Sequence, residues 1–158
     1  MTSFTTGKLC VWDMVFEGLT PEQVSDVRRA LKSRTYNKGS TLFNLGDTAN
    51  DLLVIRSGRI KCHFLGEAGA IYSPAIYGPG RVTGLLSALL STPRMVSAVA
   101  LEKTQIDSLS RNDLHSLVID IPLFGENIAK LSAAMAGDLI GVLAERALQP
   151  AKERLFSA

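Results

Sequence analysis

The residues best suited to chemistry lie in one stretch, Gly78–Val99, GPGRVTGLLSALLSTPRMVSAV. Gly78, Gly80 and Gly84 let the backbone approach an anion closely, and a helical turn opening at Leu85 would offer it unpaired N–H groups. Arg94, just beyond Ser91-Thr92-Pro93, carries the fork of donors that grips phosphate bidentately. By spacing alone the stretch is either a phosphate-binding cassette or an ordinary turn and helix joining two strands, since a glycine motif serves both. Cys62-His63 is a second place where chemistry is conceivable. In a strand the two side chains point to opposite faces, which gives a buried thiol beside a surface imidazole. His115 sits among polar residues and reads as a solvated histidine. Cys10 and Cys62 are the only cysteines, too few for a disulfide framework, a C-x-x-C metal site or a four-cysteine iron–sulfur centre. No Ser/His/Asp constellation and no H-E-x-x-H motif occurs, so no enzymatic activity is expected.

Positioning Arg94 requires a framework, and the chain supplies one in three textures. Thr20-Pro21-Glu22-Gln23 is a helix start, with Thr as N-cap and Pro at the first helical position. Val24, Val27 and Leu31 form an inward stripe, Arg28, Arg29 and Lys32 face water, and the helix is expected to end near Arg34. From Tyr36 to Ser110, short apolar runs alternate with glycine-bearing turns at Gly39, Gly46, Gly58, Gly66–Gly69 and Gly78–Gly80. Leu52–Arg56, Ile60–Leu65, Ile71–Tyr77, Val96–Leu101 and Gln105–Leu109 read as strands, and their regular spacing predicts a barrel or jelly roll. A short helix follows Ser110. Then Ile121–Ala147 shows apolar residues Ile128, Leu131, Met135, Leu139 and Val142 three or four apart, interleaved with Ala133, Ala134, Ala136, Gly137 and Gly141. That narrow stripe reads as a coiled-coil seam in a homodimer, or as packing on the chain's own barrel. Pro150 breaks this helix and a new one starts at Ala151.

A chain of 158 residues suits one domain with a real core. With 46% hydrophobic and 20% charged residues it is globular, and a net charge of +2 does not by itself argue for nucleic acid. No apolar run is expected to reach the roughly 18 residues needed to span a bilayer. The N-terminus lacks the pattern of a secretory signal, so a cytoplasmic location is expected.

Helix, glycine-punctuated roll, cassette, short helix and long helix, in that order, resemble the effector domain of the catabolite activator/FNR (Crp/Fnr) family of bacterial transcription regulators. Lys38-Gly39-Ser40-Thr41-Leu42-Phe43-x-x-Gly46-Asp47 matches an early barrel corner of that family. Leu52–Lys61, LLVIRSGRIK, is similar to its strand–glycine–strand hairpin, and Tyr77-Gly78-Pro79-Gly80, Gly84 and Pro93-Arg94 to its phosphate-binding cassette. Ser110–Leu114 and Pro122-Leu123 match the short helix and the start of the dimer helix. The resemblance implies a mainly β fold with flanking helices: a double-stranded β-helix (jelly roll) sensor domain over 1–120, a dimerisation helix over 121–147, and at 148–158 the start of a connection to a DNA-binding domain. It implies a homodimer, with DNA and RNA polymerase as partners of the full-length protein and no membrane partner. The ligand would touch Gly84, Leu85, Leu86, Ser87, Arg94 and Met95 of the cassette, with Leu131 and Met135 as the far wall.

Two departures from the family pattern bear on function. Cyclic-nucleotide binders of the family have Glu after the cassette glycine, accepting a hydrogen bond from the ribose; here Leu85 follows Gly84 and accepts nothing. Met95-Val96 also replaces the small polar residue that often follows the arginine. The effector is therefore open between a cyclic nucleotide and another anion. Because some relatives in the family bind haem through such residues, the resemblance also implies haem at Cys62 or His63 as a candidate. A ligand-free dimer module plugged by Leu85, Leu89 and Met95 is the further alternative. Arg154-Leu155 resembles the pair just before a winged helix-turn-helix, so either a truncated chain or a free-standing sensor is expected, and in both cases this chain does not itself bind DNA specifically.

Overall fold

The computed structural model describes residues 11–65 and 71–148. Cys10, the expected Gly66–Gly69 turn and the expected helix start after Pro150 lie outside the described residues.

Chain order begins with a 3-10 turn, Trp12–Phe16, and helix α1, Pro21–Ala30. Thr20 closes a capping box on α1: its Oγ1 accepts from the Gln23 N–H at 3.2 Å while its own N–H donates to Gln23 Oε1 at 3.0 Å. The helix ends four residues before the expected Arg34. Leu31 turns extended (φ −76°, ψ 137°), and Lys32–Tyr36 becomes strand β1. Ser33, Arg34 and Thr35 have no apolar side chain to bury in another helical turn, whereas as a strand they ladder along β8 from Lys32↔Ser108 to Tyr36↔Thr104.

The remaining strands are β2 (Thr41–Phe43), β3 (Asp51–Ser57), β4 (Ile60–Leu65), β5 (Ile71–Tyr77), β6 (Val82–Thr83), β7 (Ser97–Ala100) and β8 (Thr104–Ser110). They form two antiparallel four-stranded sheets, β1-β8-β3-β6 and β2-β7-β4-β5. The jelly-roll expectation from turn spacing is thus met. The β3–β4 hairpin turns at Gly58, where φ is +87° and a Cβ would lie 2.6 Å from the Lys103 carbonyl oxygen, so only glycine fits.

Period-two alternation divides the core into two layers. Leu53, Ile55, Ile60, Cys62, Ala98 and Ile106 meet between the sheets. Leu52, Val54 and Leu109 face the other way, against a helical layer of Trp12, Val15, Val27, Leu114, Leu117, Phe124, Ile128 and Leu131. That layer comprises α1, the cassette helix α2 (Leu85–Leu90), α3 (Arg111–Asp120) and α4 (Pro122–Ala147), with the 3-10 turn. Ser110 caps α3 by accepting from the Asp113 N–H at 3.1 Å.

Helix α4 splits the apolar stripe seen in the sequence. Phe124, Ile128 and Leu131 are enclosed in the chain's own core, and buried Asn127 donates from Nδ2 to the carbonyls of Val15 (3.0 Å) and Glu17 (2.9 Å). Farther on, Leu139, Ile140 and Leu143 are more than half exposed. By length and mean hydropathy (1.3 over Pro122–Glu145) this helix is apolar enough to cross a bilayer, contrary to the expectation that no such stretch exists. Its first half instead docks on the domain through a buried amide, a use of one face that lipid would not require.

Candidate functional site

Arg94 is placed by its backbone before its side chain does anything. Its N–H donates to the Asp47 carbonyl at 2.9 Å, and its carbonyl accepts from the Gly46 N–H at 2.8 Å. The Lys38–Asp47 corner and the end of the cassette are therefore one clamp. The corner is itself fixed, by Asp47 Oδ2 accepting from the Asn44 N–H at 2.9 Å and Ser97 Oγ accepting from the Leu45 N–H at 2.9 Å.

From this clamp the guanidinium is buried, with the side chain 5% exposed. Nη2 donates to Asp51 Oδ1 at 2.5 Å, and the guanidinium lies over the Phe43 ring, 4.4 Å from its centroid. Nε and Nη1 are enclosed and have no protein acceptor. A buried cation with two unmet donors is costly, and such groups in native proteins call for an explanation. Thr92 Oγ1, two residues earlier, is enclosed without a partner as well.

Gly84 makes room for this arrangement. It is left-handed (φ +80°), and a Cβ there would collide with Arg94 Nη1 and stand 3.2 Å from the Asp51 carbonyl oxygen. Helix α2 opens at Gly84, whose carbonyl accepts its first bond from the Ala88 N–H at 3.0 Å. Ser87 Oγ donates to the Pro93 carbonyl at 3.2 Å, tying the helix to the segment that carries Arg94.

The expected site residues fall into distinct groups. Gly84, Ser87 and Arg94 come together as described. Leu85 is 2% exposed and packs in the helical-layer core, while Leu86 and Met95 stand exposed on the surface. Leu89 is exposed too, so of the three residues expected to plug a pocket only Leu85 points inward. Leu131 is fully enclosed in the same core and Met135 packs at its edge. Asp51 and Phe43, the two side chains that hold the guanidinium, escaped the sequence reading: Phe43 read as a corner residue, and no spacing links Asp51 to Arg94. Arg81, at the cassette entrance, was passed over as well. It reaches Asp138 of α4 at 3.6 Å and lies 5.0 Å from the Tyr77 ring centroid, joining cassette and long helix.

Cys62 is buried between the sheets, its Sγ 3.7 Å from Thr83 Oγ1, and burial pushes its thiol pKa above the ordinary value against the opposing Thr83 hydrogen bond. His63 is half-buried with Nδ1 enclosed and unpartnered, a correction to the expected surface imidazole that follows from the β4–β7 pairing at His63↔Ser97. His115 is exposed, as expected. No cluster of three or more metal-ligating side chains occurs among the described residues.

Comparison with known proteins gives a consistent pattern. The profile of the cyclic nucleotide-binding domain family matches residues 33–120, more than half of the chain. The cyclic AMP receptor protein of Thermus thermophilus is 34% identical over 119 residues, covering 75% of this chain and 55% of that protein. A CRP-like cAMP-activated global transcriptional regulator of Mycobacterium tuberculosis is 27% identical over 119 residues, covering 75% of this chain and 53% of its own length. Among solved structures, the Thermus thermophilus catabolite activator protein superposes with a TM-score of 0.76 at 30% identity, over 85% of this chain and 63% of that one. The chain spans about half the length of the curated relatives it matches.

Proposed function

The chain belongs to the cyclic nucleotide-binding domain family, and from that premise we propose that it is the effector-sensing part of a Crp/Fnr-type transcription regulator, binding a small anion at Arg94. The observation that carries this reading is the buried Arg94 guanidinium, held by Asp51 and Phe43 with Nε and Nη1 unmet. An anion at either of those two nitrogens supplies an acceptor that the protein does not provide there. Asp51 holds only Nη2, and its like charge raises the threshold a ligand must overcome. Because Leu85 faces the core, nothing at that position accepts a ribose hydroxyl, so recognition rests on the anionic group. Gly84, Leu86, Ser87 and Met95 flank that group in this reading, and Met135 stands where α4 leaves the core; Leu131 acts only as support for the wall.

The remaining elements suit a relay. Residues 1–120 form the sensor and 121–147 the dimer helix, whose exposed Leu139, Ile140 and Leu143 would be covered by the same helix of a second copy. Residues 148–158 lead to the DNA-binding part of the full-length protein, which acts in the cytoplasm on DNA with RNA polymerase, not as an enzyme. The Arg81–Asp138 ion pair lets a change at the cassette entrance reach α4. A ligand biases the dimer only by its difference in affinity between the two arrangements.

A thermal melt with cyclic AMP, cyclic GMP and cyclic di-GMP tests the proposal. A ligand at one hundred times its dissociation constant adds about 2.7 kcal/mol, a readily resolved shift. A shift with any of these phosphodiesters that disappears in Arg94→Met supports the site; a shift retained in that variant, or none with any anion, refutes it.

A further inference from the structure

A second cleft, of about 210 Å³, opens on the opposite side of the β1-β8-β3-β6 sheet from the inter-sheet core and shares no residue with the cassette. On this outer face the apolar residues Leu52, Val54 and Leu109 give way to polar ones on adjacent strands, Ser33 of β1, Asp107 of β8 and Arg56 of β3. Ser33 Oγ donates to Asp107 Oδ1 at 2.6 Å and Arg56 Nε reaches Asp107 Oδ2 at 3.3 Å. Both carboxylate oxygens of Asp107 are thereby engaged, so this trio forms a neutral, fixed floor.

The walls differ from the floor in carrying uncommitted charge. Arg28 of α1 is held over the Phe16 ring, 5.3 Å from its centroid, and has no carboxylate partner among the described residues. Asp13 of the 3-10 turn likewise makes no side-chain hydrogen bond or ion pair among them. Trp12, buried and with its indole N–H lacking an acceptor, supplies aromatic wall, and Leu31 supplies aliphatic wall. One free cation, one free anion and an apolar surface therefore border one small cavity.

We propose that this cleft is a small-molecule site independent of the cassette, and that its ligand is a zwitterion of the α-amino-acid class. The ligand carboxylate takes the free guanidinium edge of Arg28, its ammonium takes Asp13, and its side chain lies against Leu31 and Phe16. A singly charged ligand would leave one of the two wall charges unpaired. The volume falls below the roughly 300–1,000 Å³ of sites for drug-sized molecules, which suits a ligand of this size. The inference does not rest on the anion site at Arg94.

The chain has a single tryptophan, Trp12, which lines the cleft, so its emission and its one indole N–H cross-peak report on this site without labelling. The full chain is titrated with the common L-amino acids at millimolar concentration. Any responder is then compared with its amide, which lacks the carboxylate, and its deaminated acid, which lacks the ammonium. We expect saturable movement of the indole signal with an amino acid, and binding roughly tenfold weaker or more for each half-molecule, since each loses a charge-assisted contact. Arg28→Gln and Asp13→Asn, both at exposed positions, should abolish the response with the melting temperature unchanged, while Arg94→Met should leave it intact. No response to any amino acid, an equal response to a half-molecule, or a response that survives Arg28→Gln but not Arg94→Met overturns the proposal.

Discussion

Arg94→Met separates what the buried guanidinium does for folding from what it does for a ligand. In the wild-type chain Nε and Nη1 are enclosed with no protein acceptor, each at a cost of about 1–3 kcal/mol. Methionine has a similar reach, fills the space beside Phe43, and replaces the cation–π contact of about 0.5–2 kcal/mol with a sulfur–aromatic one of about 0.3–1.5 kcal/mol. The lost partner is Asp51, whose side chain is 36% exposed, so water can solvate the carboxylate left behind. Removing one partner of a fully buried pair costs about 3–5 kcal/mol, and the partial exposure of Asp51 reduces that cost below the gain from losing two unmet donors. The sum is a gain of about 1–3 kcal/mol for the variant. At this chain length that raises the melting temperature by about 2–12 °C, taking about 2–4 °C per kcal/mol. Differential scanning calorimetry without ligand measures it, and the same scan with a phosphodiester should show a shift in wild type alone. A variant that melts several degrees below wild type would refute the reasoning, because Arg94 would then be held for structure rather than for a ligand.

Gly84→Ala places a methyl against Arg94 Nη1 in a left-handed backbone, so we expect a loss of about 1–3 kcal/mol in a denaturant melt together with loss of any anion-induced shift. Asn127→Ala strips the carbonyls of Val15 and Glu17 of their shared donor, and urea unfolding should show about 2–4 kcal/mol lost, against well under 1 kcal/mol for the exposed Lys130→Ala. Burial raises the Cys62 thiol in the folded state, so the folded chain holds that proton longer than the unfolded one; its contribution to stability is intact below the ordinary thiol range and falls as pH rises through the raised value. Tyr77, raised chiefly by burial too, extends the decline to higher pH, and Cys62→Ala should flatten the first part of the alkaline stability curve.

Much of this architecture was legible because it is written in local chemistry. Thr20 with Pro21 and Gln23 can satisfy helix N–H groups without outside help, and Ser110 does the same three residues before Asp113. Glycines at left-handed turns and alternating apolar runs marked the strands between them, and Ile60–Leu65 and Ile71–Tyr77 emerged with the expected boundaries. The pattern failed where partners distant in sequence compete with local preference. Lys32–Arg34 read as the end of a helix, but β8, more than seventy residues away, pairs them as a strand.

The site followed the same division. Sequence alone determined that an arginine would sit beyond a glycine-led helical turn, since Gly84, Leu85–Leu90 and Arg94 are near neighbours along the chain. Only the tertiary structure decided how that arginine is held. Gly46, Asp47, Asp51 and Phe43 reach it from across the roll, and they determine which guanidinium nitrogens are satisfied and which remain for a ligand. It also divided α4, whose apolar stripe is uniform in sequence but half sealed against Trp12 and Leu85 and half open. Burial and hydrogen-bond satisfaction depend on neighbours in space, and the order of residues along a chain does not carry that information.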